Sequence, residues 1–145
     1  MFTHLLLPTD GSTRSEAAIQ KGIQLAKITN GKVTGLHVAP KFHVLTYRIE
    51  MLEDTKEQFA KDSRAHAEKY LGVITKLAKE AGVVCDTQFV TSDHPYEAII
   101  QTAKENSCDA IVMASHGRSG VGAVLLGSQT QKVLTHCEIP VVVIR

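Results

Sequence analysis

Apolar and polar positions along this chain repeat in two alternating periods. "HLLLPTD" is a short apolar run stopped by a turn, so His4 to Leu7 predict a buried strand. "STRSEAAIQKGIQLAKITNG" then switches to a broad helical face carried by Ala18, Ile19, Ile23, Leu25, Ala26 and Ile28. Thr13 and Glu16 stand at capping-box spacing at its start, and Asn30-Gly31 closes it. "KVTGLHVAP" reads as a second strand ended by Pro40, and residues 41–50 are irregular. From about Glu50 to Gly82, Leu52, Phe59, Ala67, Leu71, Ile74, Leu77, Ala78 and Ala81 recur near the 3.6-residue period, with Lys and Glu on the other face. "VVCDTQFVT" gives a third strand. Asp93 or His94 then caps a helix with Pro95 in its first turn, continued by "YEAIIQTAKENS". "CDAIVMAS" is a fourth strand, followed by a glycine-rich stretch. Ser128 and Gln131 repeat the capping-box spacing at the start of a last helix, and "IPVVVIR" reads as a fifth strand.

Strands that alternate with helices imply parallel pairing through right-handed crossovers. The near-continuous apolar runs "LLL", "AIVM" and "VVVI" agree, because a strand covered on both sides has no polar face. The expected fold is α/β: one doubly wound, five-stranded parallel sheet with helices on both faces, a single domain over residues 1–145. In such sheets ligands bind beyond the carboxyl ends of the strands, where the strand order reverses. With order 3-2-1-4-5, the reversal lies between the first and fourth strands. The loops "PTDGS" (8–12) and "MASHGRSGVGAVLLGS" (113–128) then face one crevice.

Composition narrows the partners. The chain has 145 residues, 16 basic against 15 acidic, so no large positive field is available to hold nucleic acid. Aromatic residues are 5% with no Trp, which leaves no base-stacking platform. Cys85, Cys108 and Cys137 are far apart and form no CxxC pair, which speaks against a disulfide framework or a zinc site and fits a reducing cytoplasm. "MFTHLLLPTDGS" lacks a charged leader, and its apolar run stops at Pro8; it predicts neither a signal peptide nor a membrane span. The expected location is cytosolic.

The glycine-rich stretch departs from both standard phosphate fingerprints. Gly122 and Gly127 have Walker spacing, but Ser128 and Gln129 follow where Lys and Ser/Thr are needed. The dinucleotide motif fails as well, since Ala-Val-Leu follows Gly122 and the loop comes after the fourth strand. Physical elements of an anion site are nevertheless present. Gly127 precedes a helix start, where free N–H groups and the helix dipole favour negative charge. Ser128 and Thr130 add hydroxyls, Gly117 permits close approach, and Arg118 and Lys132 are nearby cations. The plainer reading of Gly127-Ser128 is an ordinary loop end and N-cap.

Taken together, "PTDGS", "LHV" and "VMASHGRSG…LLGSQTQKVL…PVVVIR" resemble the universal stress protein family, in order and over nearly the whole chain. That resemblance implies strand order 3-2-1-4-5. Its nucleotide-binding branch carries G-x2-G-x9-G-[S/T], which here reads Ala114-x2-Gly117-x9-Gly127-Ser128. Ala114 thus replaces the first glycine. The resemblance implies an adenine pocket lined by Pro8, Val38 and Met113, with Asp10 accepting hydrogen bonds from ribose and Ala114 offering its carbonyl. It places the phosphates on the backbone of Gly117, Gly127, Ser128, Gln129 and Thr130 and on the hydroxyls of Ser128 and Thr130. Gln129 stands where the family usually has a small apolar residue. The implied ligand is ATP or another adenine nucleotide, with Mg²⁺ held through the phosphates. The implied partner is a second copy, paired through the last strand at 140–145.

Plainer roles stand beside these. Asp10 can cap the first helix or its turn, and Met113 and Val38 can serve as packing residues. His116 is expected as an exposed loop histidine, His37 lies near the crevice, and the remaining histidines are dispersed. Cys108 and Cys137 read as small buried hydrophobes. Three functions remain open: a nucleotide-binding regulatory module, a slow ATP-hydrolysing or self-phosphorylating enzyme, and a dimeric interaction module with a vestigial site. The absence of a P-loop lysine, of a second acidic metal ligand and of an evident base weighs against efficient turnover.

Overall fold

The computed structural model of the chain describes residues 1–43, 49–116 and 126–145. Among these, strands and helices alternate as β1 (His4–Thr9), α1 (Thr13–Ile28), β2 (Lys32–Ala39), α2 (Ile49–Ala81), β3 (Cys85–Thr91), α3 (Pro95–Glu105), β4 (Ala110–Ala114), α4 (Ser128–His136) and β5 (Val141–Ile144). All neighbouring strands are parallel, in the order β3-β2-β1-β4-β5. The order expected from the sequence is the one observed, and its reversal falls between β1 and β4.

Side-chain alternation along β1 builds the two halves of the core. Leu5 and Leu7 face α1 and α2, where Ile19, Ile23, Ala67, Leu71, Ile74 and Ala78 close over them. Leu6 faces the other way, onto a cluster with Leu36, Ile111, Ile99, Ile100, Ala103 and Val133 from the side of α3 and α4. All three leucines are fully buried. Each contributes roughly 1.5–3 kcal/mol of apolar burial, which is why the run tolerates no polar position. The edge strand β3, by contrast, is mostly exposed, and its Asp, Thr and Gln reflect that.

β1 runs to Thr9, two residues beyond the strand expected from the sequence. Pro8 is accommodated because β1 pairs with β2 from His4 to Thr9 but with β4 only at Leu5 and Leu6. A residue without an N–H stands where the ladder to β4 has already stopped. The same parting of β1 and β4 opens the crevice at the carboxyl end of the sheet. Smaller boundary shifts occur at the other strands. Val83 and Val84 precede β3, Cys108 and Asp109 precede β4, and β5 is confined to Val141–Ile144.

Helix ends correct two capping assignments. The N-cap of α1 is Ser12, whose side chain accepts from the Ser15 amide at 3.2 Å, so Thr13 is the first helical residue and the Thr13–Glu16 box is not formed. At α4 the N-cap is Gly127, which offers no side chain; Ser128 is the first helical residue and the Ser128–Gln131 box is not formed either. At the carboxyl end of α1, Asn30 takes φ +54°, and Gly31 N–H reaches back to Ala26 at 2.8 Å, a Schellman closure. Ser107 ends α3 in the same way at φ +54°. Of the cysteines, Cys108 is buried and its thiol is pushed up to about 11 by burial and then by Asp109, so it packs as a neutral small hydrophobe. Cys137 is only half-buried.

At the amino end of β1, the His4 ring sits 2.7 Å from the Thr34 hydroxyl. Burial, then the neighbouring Lys32, holds its pKa below the usual 6.5. The unfolded chain therefore binds a proton that the folded chain resists. This stabilisation is complete above pH 6.5 and is lost as pH falls from there towards the lowered folded value. Stability measured by urea unfolding should fall between pH 7.5 and 5.5, and His4→Gln should flatten that fall. An equal fall in the variant would remove His4 as its source.

Candidate functional site

The β1–α1 loop is fixed before any ligand is considered. Gly11 takes φ +79°, a conformation that excludes most side chains. The Asp10 carboxylate accepts from the Ser12 amide at 2.9 Å, an Asx turn. The Asp10 amide donates to the Ser15 hydroxyl at 3.2 Å, and the Gly11 amide donates to the Thr9 hydroxyl at 3.1 Å. Asp10 therefore does hold the turn, as the plainer reading had it, and the turn presents it at the carboxyl end of β1.

Facing it across the crevice is the junction of β4 and α4. The Ser115 amide donates to the Ile144 carbonyl at 2.8 Å, and the Ser115 carbonyl accepts from the Gly127 amide. The buried Thr130 hydroxyl donates to the Ala114 carbonyl at 2.9 Å. These bonds join the two ends of the glycine-rich stretch. Gly117, with Arg118, Gly120 and Gly122, lies outside the described residues. Gly127 has φ −65° and ψ 153°, so its backbone does not require glycine. The amides of Ser128, Gln129 and Thr130 occupy the first turn of α4. There they have no acceptor within the helix, and the dipole makes the turn favourable for an anion.

The apolar side of the site lies on the face of α3 and α4. Val38 and Met113 belong to that cluster, Met113 buried and Val38 half-buried. Pro8 follows Leu6 by two positions and so shares its face. Val90 and Tyr96, which the sequence reading did not single out, pack against the same cluster. Gln129 explains its own departure from a small apolar residue. Its side-chain oxygen accepts from the Tyr96 amide at 3.0 Å, in the first turn of α3, where the N-cap His94 makes no side-chain bond. Gln129 thus caps a neighbouring helix, and only its backbone faces the candidate anion turn. Lys132 lies over the Tyr96 ring, 5.5 Å from its centre. Nearby, Asp93 accepts from His43 Nε2 and from the Lys41 amide, both at 3.0 Å, and these bonds lower its carboxyl below the usual range.

His116, expected to be exposed, is half-buried with Nδ1 3.0 Å from the Ser115 hydroxyl. His37 is buried on the opposite face from the apolar pocket, beneath the β1–α1 loop, with Nδ1 2.9 Å from the Thr9 carbonyl. A polar residue inside the apolar run "LHVA" was the signal for it. Its ring neighbour Tyr70 carried no such signal, because the contact joins α2 to a loop distant in the sequence.

Comparison with known proteins matches this arrangement to one family. The universal stress protein YxiE of Bacillus subtilis is 31% identical, over 100% of both chains. The solved structure of MJ0577, a Methanocaldococcus jannaschii universal stress protein, superposes with a TM-score of 0.84 at 26% identity, covering 99% of this chain and 96% of that one. A universal stress protein solved in complex with cAMP superposes at 0.69 and 23% identity, covering 99% of this chain and 97% of that one, and shares the fold. The universal stress protein family profile matches residues 1–145, and the chain belongs to that family.

Proposed function

We propose that this protein is a cytosolic adenine-nucleotide-binding regulatory module, with ATP as the leading ligand. The observation that carries the reading is the convergence, where β1 and β4 part, of the Asp10 turn with the first turn of α4. In this reading Pro8, Val38 and Met113 contact the base and Asp10 holds the ribose. The Ala114 carbonyl adds a contact to the ribose. The amides of Ser128, Gln129 and Thr130 and the Ser128 hydroxyl hold the phosphates, with Gly117 and the bare Cα of Gly127 allowing close approach; the Thr130 hydroxyl, expected to join them, is buried and donates to the Ala114 carbonyl instead. The cAMP complex of a structural neighbour supports the choice of an adenine nucleotide.

Among the described residues no group of three or more His, Cys, Asp or Glu side chains could hold a metal ion. Mg²⁺ would therefore enter on the phosphates. The reading assigns nucleotide binding to the module, with slow phosphoryl transfer as the alternative that a phosphate-release assay would reveal. Purified protein should release an adenine nucleotide on acid extraction, and calorimetric titration with Mg-ATP should give saturable binding at millimolar concentration or below. An empty extract together with a flat titration would overturn the reading.

A second reading, a dimeric interaction module, is favoured by β5. It is a sheet-edge strand whose four residues, Val141 to Ile144, remain half-buried and can pair with a second copy.

A further inference from the structure

The Asp10 turn is gripped from below, on the side of the sheet away from the apolar pocket. His37, on β2, points Nδ1 at the Thr9 carbonyl. A carbonyl only accepts, so Nδ1 carries the proton and donates. The same ring meets Tyr70 of α2 edge to face at 5.1 Å and stacks with Phe89 of β3 at 6.1 Å. Tyr70 in turn stacks with His66, one turn earlier on α2, at 5.9 Å. Its ring lies directly against the Gly11 Cα: a β-carbon built there would fall 2.3 Å from Cε1. Thr9 and Gly11 are the two residues that flank Asp10. One is held by a hydrogen bond from β2 and the other by a ring from α2.

We infer that His37 is a positioning residue for Asp10: with Tyr70 it fixes the β1–α1 turn, so that the carboxylate meets the ribose hydroxyls of a bound adenine nucleotide. The inference rests on the nucleotide-binding reading of the site. It adds that discrimination between nucleotides with and without ribose hydroxyls is set from the far face of the sheet. His37 lies on the face of the sheet away from Val38 and Met113, so a role confined to stability would weaken all nucleotides alike, whereas a positioning role acts through the hydroxyls alone.

The experiment uses the full chain and three forms: wild type, His37→Phe and His37→Asn. Phenylalanine keeps a ring between Tyr70 and Phe89 and removes the donor. Asparagine places an amide nitrogen where Nδ1 stood and restores it. Titration with ATP and with 2′,3′-dideoxy-ATP should show His37→Phe losing about tenfold in ATP affinity and less than about threefold for the dideoxy analogue, with His37→Asn returning the ATP value towards wild type. Equal losses for both ligands, or no loss for either, would overturn the inference. Hydrogen exchange of the Gly11 and Ser12 amides in the ligand-free protein gives an independent readout. Faster exchange there in His37→Phe, with the central β1 amides unchanged, supports the grip, and unchanged exchange at both refutes it. If wild type binds neither nucleotide, the nucleotide reading fails on its own, and the exchange result still decides whether His37 holds the turn.

Discussion

Gly11→Ala should lower the stability of the fold by about 3 kcal/mol, the largest effect expected from adding one methyl group anywhere in the site. Two terms add. At φ +79° an alanine suffers the clash of its β-carbon with the backbone, about 1 kcal/mol. The methyl group must also displace the Tyr70 ring, from which it would stand only 2.3 Å. That ring is not a free end that can swing away, because it is wedged between His37 and His66. Overpacking of this kind adds about 1–3 kcal/mol. For a chain of this length the thermal midpoint should drop by about 10 °C. A double-mutant cycle separates the terms. In a Tyr70→Leu background the same glycine change should cost about 1 kcal/mol, the dihedral term alone. A midpoint within about 2 °C of wild type for the single variant would mean that the ring yields freely and that the turn is not clamped. Calorimetry on the pair of variants and their double decides it.

The same residues show which parts of the molecule can be read from a sequence. β1, its partners and the sheet order are legible because each strand carries its own signal: Leu5, Leu6 and Leu7 have no polar alternative in a strand covered on both faces. The length of α2 is legible for a similar reason, since its 3.6-residue period continues into the core at Ala67, Leu71, Ile74 and Ala78. Pro8 misleads locally. By itself it predicts the end of a strand, and only the early end of the β1–β4 ladder, a tertiary fact, lets the strand continue past it. Caps mislead by a single position. Ser12 and Thr13 both offer a hydroxyl, and at α4 Ser128 offers one a position after the actual N-cap, Gly127, so residue type alone does not choose the N-cap. Of the site, the Asp10 turn and the start of α4 are visible as motifs. The grip of His37 and Tyr70 is not, because Tyr70 and Gly11 meet only after α2 has packed. Gln129 is the opposite case: it is visible as a departure from the family pattern, and it is explained only when its side chain is found capping α3.

Gly127→Asp should separate stability from binding with opposite signs. At φ −65° and ψ 153° the backbone of Gly127 suits an N-cap with a side chain, and aspartate is among the best of these. Its carboxylate would accept from the first-turn amides of α4 and should raise stability by a few tenths of a kcal/mol relative to glycine. Those amides are the groups assigned to the phosphates. The variant therefore places a fixed negative charge where the ligand's charge must go and uses up the donors that would receive it. Two unit charges about 4 Å apart near a protein surface repel by about 4 kcal/mol, which corresponds to a loss of affinity of roughly 1,000-fold. Gly127→Ala should fall between: it adds no charge, caps poorly, and loses only the close approach. The nucleotide module and the interaction module with a vestigial site agree on the stability change, because capping acts whether or not a ligand comes. They disagree on everything measured with ATP. If the site is vestigial, wild type, Gly127→Ala and Gly127→Asp give the same flat titration. If it binds, they give three affinities ranked by what stands at one Cα. A titration series in which Gly127→Asp binds Mg-ATP as well as wild type would move the phosphates away from α4 altogether.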